Sequence, residues 1–263
     1  YAMTCNAFSS DDKIPLALID TAGQKSVIAN LRPLTHGGFF LESIEKTSSL
    51  LMGNNRTGLF DGLPFFLYDL RPQGFLGRQI ARIMSSLSDD FPSNPRNWTT
   101  NHIGRFLVSN GDDLPGNFIL GAQSLWRFRQ RPVPVVRANY PDLAEEVMAG
   151  ENPGSSAGGE QPKFTAFNAE SSSHVIVKFS PKGDNEVASR WRDILITEYH
   201  AAQIVNQSIY PAAVPELFEM DGRFFLEGNR FDRMGEHGRS SMISLEAVTA
   251  EYADLSSSWP QVM

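Results

Sequence analysis

Apolar and polar residues alternate early in the chain. Ile14 to Ile19 and Val27 to Leu31 read as short strands on either side of a turn at Ala22-Gly23. Gly37-Gly38-Phe39-Phe40-Leu41-Glu42 suggests a third strand. The period then changes. Beyond Arg71-Pro72-Gln73-Gly74, apolar positions at Phe75, Leu76, Ile80 and Ile83 predict a helix. Residues 87–97, rich in Ser, Asp, Pro and Asn, read as a loop. Thr100 to Val108 and Ala122 to Phe128 predict two more helices, separated by the turn-rich Asn110-Gly111-Asp112-Asp113-Leu114-Pro115-Gly116.

The second half opens on Ala149 to Gly159, a run of small residues with no apolar period. Such a run is most often a linker. Here a hairpin follows it directly: Phe164 to Asn168, a polar turn over Ala169 to Ser173, then His174-Val175-Ile176-Val177-Lys178-Phe179. Asn185 to about Asn206 reads as a helix, with Trp191, Leu195, Ala202 and Val205 at helical spacing. Two strands, Glu216 to Met220 and Arg223 to Glu227, flank Asp221-Gly222, a type I′ turn signal.

Composition sets outer bounds. The chain has 263 residues, room for one to two domains. Apolar residues make up 41% and charged residues 20%, the range of globular proteins. No apolar run approaches the roughly 18 residues of a membrane helix. A net charge of −7 argues against a surface that is one large nucleic-acid footprint. Cys5 stands alone, so no internal disulfide or cysteine zinc site is expected, and a reducing cytoplasm fits. No signal peptide is visible at Tyr1-Ala2-Met3-Thr4, and the ends at Tyr1 and Met263 read as those of a fragment. The five histidines are scattered, with none spaced for a metal.

Lys178 and Glu198 carry the first chemical signal. Val175 and Val177 fall on one face of their strand, and His174, Ile176 and Lys178 on the other. Taken alone, Lys178 is an exposed lysine at a strand end. Glu198, however, sits on the stripe 191, 195, 198, 202, 205. A carboxylate there is costly to bury unless it meets a cation, and Lys178 is the candidate. The alternative places Glu198 at the stripe's edge, reaching solvent. The order of glycine loop, hairpin, strand lysine and helix glutamate is that of protein kinases. In those enzymes the loop covers the nucleotide phosphates, the lysine holds them, and the glutamate fixes the lysine. Gly228 to Arg233 then lies where a kinase hinge offers backbone groups to adenine.

Several motifs in this order resemble the HipA-like Ser/Thr kinase toxins of bacterial toxin–antitoxin systems. They are Ser156-Ala157-Gly158-Gly159-Glu160-Gln161-Pro162-Lys163, Val175-Ile176-Val177-Lys178, Thr197-Glu198-Tyr199 and Asn229-Arg230-Phe231-Asp232-Arg233. Upstream, Gly62-Leu63-Pro64-Phe65-Phe66, the segment Asp69 to Arg78, and Asp112 to Asn117 are similar to that family's N-terminal region. The resemblance implies an α+β fold: a HipA-like N-terminal region over residues 1–148, then a protein-kinase-like small lobe over 149–263. It implies ATP binding by Gly158, Gly159, Glu160, Gln161, Lys163, Lys178, Glu198, Asn229 and Phe231, with Mg²⁺. It implies autophosphorylation at Ser156, whose phosphate would compete with ATP for one cradle. A translation component such as an aminoacyl-tRNA synthetase would be the protein substrate, and an antitoxin a partner, in the bacterial cytoplasm. Asn229 stands where relatives often carry an acidic residue, and Pro162 stiffens the loop.

One part of the chemistry is missing. Phosphoryl transfer needs a catalytic-loop Asp, and an Asn and an Asp for Mg²⁺. No H-x-x-D…N arrangement follows Arg233, so those residues are expected beyond Met263 and the chain alone is expected to be inactive. A rival reading is a non-catalytic module that docks or neutralises a partner through residues 1–148. An ATP-grasp-like ligase would need a metal set that is not visible. Trp126-Arg127-Phe128-Arg129-Gln130-Arg131 with Arg137 could meet nucleic acid, but a solvated helix end with two core aromatics is expected instead. Core packing is likewise expected for Leu63 to Leu70.

Overall fold

The computed structural model describes residues 8–9, 11–44, 51, 53, 57–150, 159–208 and 210–252. It is a mixed α+β structure with two five-stranded sheets. Strands β1 (Ile14–Ile19), β2 (Lys25–Pro33), β3 (Phe39–Ser43) and β4 (Leu59–Phe60) form an antiparallel meander. β1 begins and ends where its apolar run does. β2 runs two residues further at each end than Val27 to Leu31, because pairing with β1 and β3 continues into polar positions. A 3-10 segment over Phe65–Leu70 leads to helices α1 (Gly74–Leu87) and α2 (Thr100–Asn110). Thr99 and His102 close the start of α2 as a reciprocal cap. Strand β5 (Phe118–Leu120) then pairs with β1 to complete the order β4-β3-β2-β1-β5, and α3 (Ala122–Phe128) follows.

The second sheet begins at β6 (Pro134–Val135), which pairs in parallel with a later strand, and continues after α4 (Tyr140–Ala149). β7 (Lys163–Asn168) and β8 (Ser173–Phe179) form the hairpin read from the sequence. Helix α5 (Glu186–Ser208) follows, its start capped by Asn185 Oδ1, which accepts from Ala188 N at 2.9 Å. β9 (Glu216–Met220) and β10 (Arg223–Asn229) close the sheet in the order β6-β7-β8-β10-β9. Their turn has φ of +50° at Asp221 and +69° at Gly222, as a type I′ turn requires. β11 (Arg233–Met234) and β12 (Gly238–Arg239) make a small hairpin, and α6 (Leu245–Tyr252) ends the described chain.

Two large cores result. Leu63, Phe65, Phe66, Leu67 and Leu70 pack with the first sheet and α2, so this apolar run is core. Tyr140, Ala144 and Val147 of α4 pack on Phe164, Val175, Val177, Phe179 and Phe225. Helix α1 joins the two, with Ile80, Ala81 and Met84 in the first core and Phe75 and Leu76 in the second. β6 and α4 therefore belong by packing to the second sheet, although they precede the small-residue run at 149–159. The seam between the two cores follows buried apolar area and not that run.

Beyond Asn229 the chain crosses back to the first sheet. Arg239 N donates to Asp20 O at 2.9 Å and Ser244 N to Asp69 Oδ2 at 2.6 Å. One expectation fails in α3: Trp126 is 56% exposed, while Leu125 and Phe128 pack inward. Seven residues of helix present only one inward stripe, and Trp126 lies off it. No helix among the described residues is long and apolar enough to cross a membrane.

Candidate functional site

β8 turns Val175, Val177 and Phe179 into the core, which leaves His174, Ile176 and Lys178 on its other face. β7 lies antiparallel to it, with Lys163 opposite Lys178 and Thr165 opposite Ile176. Two lysines thus stand side by side on one face. From α5, Glu198 reaches Lys178 and the two form an ion pair. Both sequence alternatives hold in part: Glu198 meets Lys178, yet at 37% exposure, with Lys178 at 24%, it sits at the edge of its stripe and reaches solvent. On its stripe only Leu195 is fully buried, while Trp191, Ala202 and Val205 are half-buried. Nothing among the described residues covers the outer side of that helix, so the pair keeps a wet flank.

Lys163 sits deeper, at 2% exposure, and its Nζ donates to Gly159 O at 3.1 Å. Burial, and then the neighbouring Lys178 charge, pull its pKa down to about 8 against the opposing pull of Glu198 and Glu160. Gly159 O also accepts from Phe75 N at 2.9 Å. This approach needs glycine on both sides: Gly74 (φ +64°) and Gly159 (φ +93°) touch so closely that a Cβ on Gly74 would strike the Gly159 backbone. Glu160 pairs with Arg78 of α1, Gln161 is half-buried, and Pro162 O accepts from Phe179 N at 3.1 Å. The loop's end is therefore pinned between α1 and β8. Ser156 and Gly158 lie outside the described residues.

At the other end of β8, Asn229 pairs in register with Val175, three residues along from Leu226 opposite Lys178. A strand rise of about 3.3 Å puts it roughly 10 Å from the lysine's level. Asn229 Oδ1 accepts from Ser173 Oγ at 3.0 Å, and Phe231 is 70% exposed. Both predicted hinge residues thus stay accessible. The alternate residues point inward. Asp232 takes Arg230 Nη2 at 3.0 Å, Arg233 Nη1 at 2.7 Å and Gly116 N at 2.9 Å. Asp113 takes Arg230 at 2.8 Å and Arg233 at 2.9 Å. Burial opposes ionisation of Asp232, but Arg230 and Arg233 outweigh it and hold the carboxyl below its usual range.

Sequence reasoning missed this junction. In the sequence the two segments read as separate motifs, and nothing in their spacing links residues more than a hundred positions apart. It also missed a cluster at the far end of the second core. There Glu227 accepts from Tyr140 Oη at 2.6 Å and Arg137 Nη2 at 2.7 Å. Arg137 is committed to Glu227 and Glu216, Arg127 to Asn110 Oδ1 at 3.0 Å, and Arg131 reaches Glu236 at 3.8 Å. The arginine–aromatic motif is therefore partly spent on internal contacts.

The arrangement can hold a multiply charged anion. It offers one ammonium positioned by a carboxylate, a second whose charged form an anion would stabilise, and the backbone of the loop's pinned end beside them. Among the described residues no three His, Cys, Asp or Glu side chains converge, so they do not by themselves fit a protein-held Mg²⁺.

Fold and site together define an α+β chain with an ion-paired lysine–glutamate centre between a strand and a helix. Residues 10–129 match the family described as YjjJ-like toxin, middle domain. That match ends after α3, ahead of the second sheet. The chain is also 36% identical over 265 residues to Toxin YjjJ of Escherichia coli (strain K12), covering 96% of this chain and 57% of that protein. It thus spans little more than half the length of that curated relative, and the similarity supports a toxin relationship.

Proposed function

We propose that the chain forms the nucleotide-binding part of an ATP- and Mg²⁺-dependent Ser/Thr protein kinase that acts as a toxin. The Lys178–Glu198 ion pair carries this reading, because it joins a strand lysine to a helix glutamate, with Lys163 and Gly159 next to it. Lys178 and Lys163 would hold the ATP phosphates, Gly158 to Gln161 would wrap them, and the backbone near Asn229 and Phe231 would meet adenine. Glu198 would keep the Lys178 ammonium aimed at the phosphates. Transfer moves the γ-phosphoryl group from ATP to a serine or threonine hydroxyl and releases ADP. Among the described residues none is assigned as the base that accepts the hydroxyl proton or as a metal ligand. Ser156 would be the site of self-modification, and a translation component such as an aminoacyl-tRNA synthetase the substrate, with an antitoxin as partner.

Calorimetric titration of ATP into the chain and into Lys178→Ala tests the assignment. Binding that weakens at least tenfold in the variant is expected. Equal affinity would remove Lys178 from the phosphate site. In a full-length protein with kinase activity, phosphopeptide mapping after Mg²⁺-ATP treatment should find Ser156, and persistent absence of that phosphate rejects the switch.

A further inference from the structure

A cleft of about 830 Å³ opens between the start of α1 and residues 93–98. Four arginines line it, and Glu160 is the sole carboxylate among the described lining residues. They come from three segments. Arg71 precedes α1, Arg78 and Arg82 sit on successive turns of it, and Arg96 lies in a short 3-10 turn fixed by Asn94 Oδ1, which accepts from Arg96 N at 3.0 Å. Arg71 lies over the Tyr68 ring and reaches exposed Glu246 at 3.7 Å, and Arg78 holds Glu160. Arg82 and Arg96 are exposed and make no ion pair among the described residues. The first turn of α1, which ends in the same cleft, contains no acidic residue.

Four guanidinium groups against two carboxylates, Glu160 and Glu246, leave positive charge concentrated in a chain whose net charge is −7. We infer that this cleft is an anion site for a phosphomonoester group, distinct from the Lys178 face although Glu160, at the end of the loop assigned to ATP, also lines it. Planar guanidinium forks suit phosphate oxygens, and a dianion answers the uncompensated charge better than a single carboxylate does. An extended nucleic acid fits less well. Trp98 is buried, with its indole N–H given to Pro92 O at 2.7 Å, so no open ring is offered for a base to stack on. The convergence of three segments on one hollow suits a compact ligand.

O-phosphoserine titrated at low salt into the chain, into Arg82→Gln/Arg96→Gln and into Lys178→Ala tests the site. Binding should weaken at least tenfold in the double variant, stay unchanged in Lys178→Ala, and decline below about pH 6 as the dianion takes up a proton. Both arginines are exposed, so circular dichroism of the double variant should match the parent. Equal affinity for parent and double variant, loss in Lys178→Ala instead, or acetate binding as tightly as phosphoserine would each overturn the inference. Inorganic phosphate and a phosphoserine peptide serve as further probes. Tighter binding of the peptide supports a phosphorylated protein as the source, and equal binding supports a small phosphorylated metabolite.

Discussion

The Asp232 junction and the Lys178–Glu198 pair are both built from opposite charges, yet they differ in closure. At the junction Asp232, Arg230 and Arg233 are almost wholly removed from water, and Asp232 meets both guanidiniums and a backbone N–H. Each charge there is compensated more than once. At the pair, each partner has one strong contact and an open flank. Closed charges join one part of a molecule to another; an open pair retains capacity for a ligand. The junction links the turn at 112–117 to the exit of β10, across two separate cores. The pair links β8 to α5 within the second sheet.

Asp232→Ala is the strongest way to break this contrast. It strands two buried arginines, leaving Asp113 as their shared carboxylate. Removing one partner from a buried ionic cluster costs about 3–5 kcal/mol. Urea unfolding should show that loss at pH 7. Because the folded-state pKa of Asp232 lies below its unfolded value, its contribution is complete above about pH 4 and fades as pH falls further. The variant's deficit should therefore shrink toward low pH. A deficit under about 1 kcal/mol would place the junction with ordinary surface pairs.

Lys163 sits between the two extremes, buried like the junction but placed beside the open pair. Its folded pKa near 8 lies below the usual lysine value of 10.5. Between those pH values the unfolded chain binds more protons, so stability rises with pH through that window. Below pH 8 the desolvation cost is present in full. Lys163→Met should therefore stabilise the protein by about 1–2 kcal/mol at pH 7, and the gain should diminish toward pH 10. A destabilised Lys163→Met at pH 7 would show that the bond to Gly159 O outweighs desolvation. On the proposed function the same variant should bind ATP more weakly, making it more stable and less competent at once.

Local features were legible and long-range ones were not. The limits of β1 and α3, the Asp221-Gly222 turn and the alternation in β8 all follow from period and turn chemistry. Even the Lys178–Glu198 contact was accessible, because a carboxylate interrupting an apolar stripe calls for a cation. Its openness was there only as the alternative of a carboxylate at the stripe's edge, since spacing cannot say what covers a helix. The Asp113–Arg230–Asp232–Arg233 cluster stayed hidden because its members join through chain return, which no local period records. Glu227 is similar: on β10 it reads as an end-of-strand charge, and only packing brings Tyr140, Asn168 and Arg137 around it. The place of α4 was obscured by the small-residue run after it, a composition shift in the sequence that does not mark where the cores divide.

Glu198→Gln should have the smallest effect on stability and best sharpens the difference between the two clusters. The substitution keeps the side chain's length and its capacity to accept a hydrogen bond, and removes only the charge. With both partners partly in water, an ion pair contributes about 0–1 kcal/mol, and salt screens it further. The unfolding midpoint should accordingly move by no more than about 2–4 °C, and the difference should shrink further in concentrated NaCl. The junction variant should lose far more, with little dependence on salt. Ligand binding should invert this order. On the proposed function, Lys178 without its counter-charge is no longer aimed, so ATP affinity should fall about tenfold in Glu198→Gln, whereas a partially destabilised but folded Asp232 variant should bind nearly as the parent does. If Glu198→Gln instead unfolds the chain as readily as the Asp232 substitution, the pair serves the fold, and the open flank has no bearing on function.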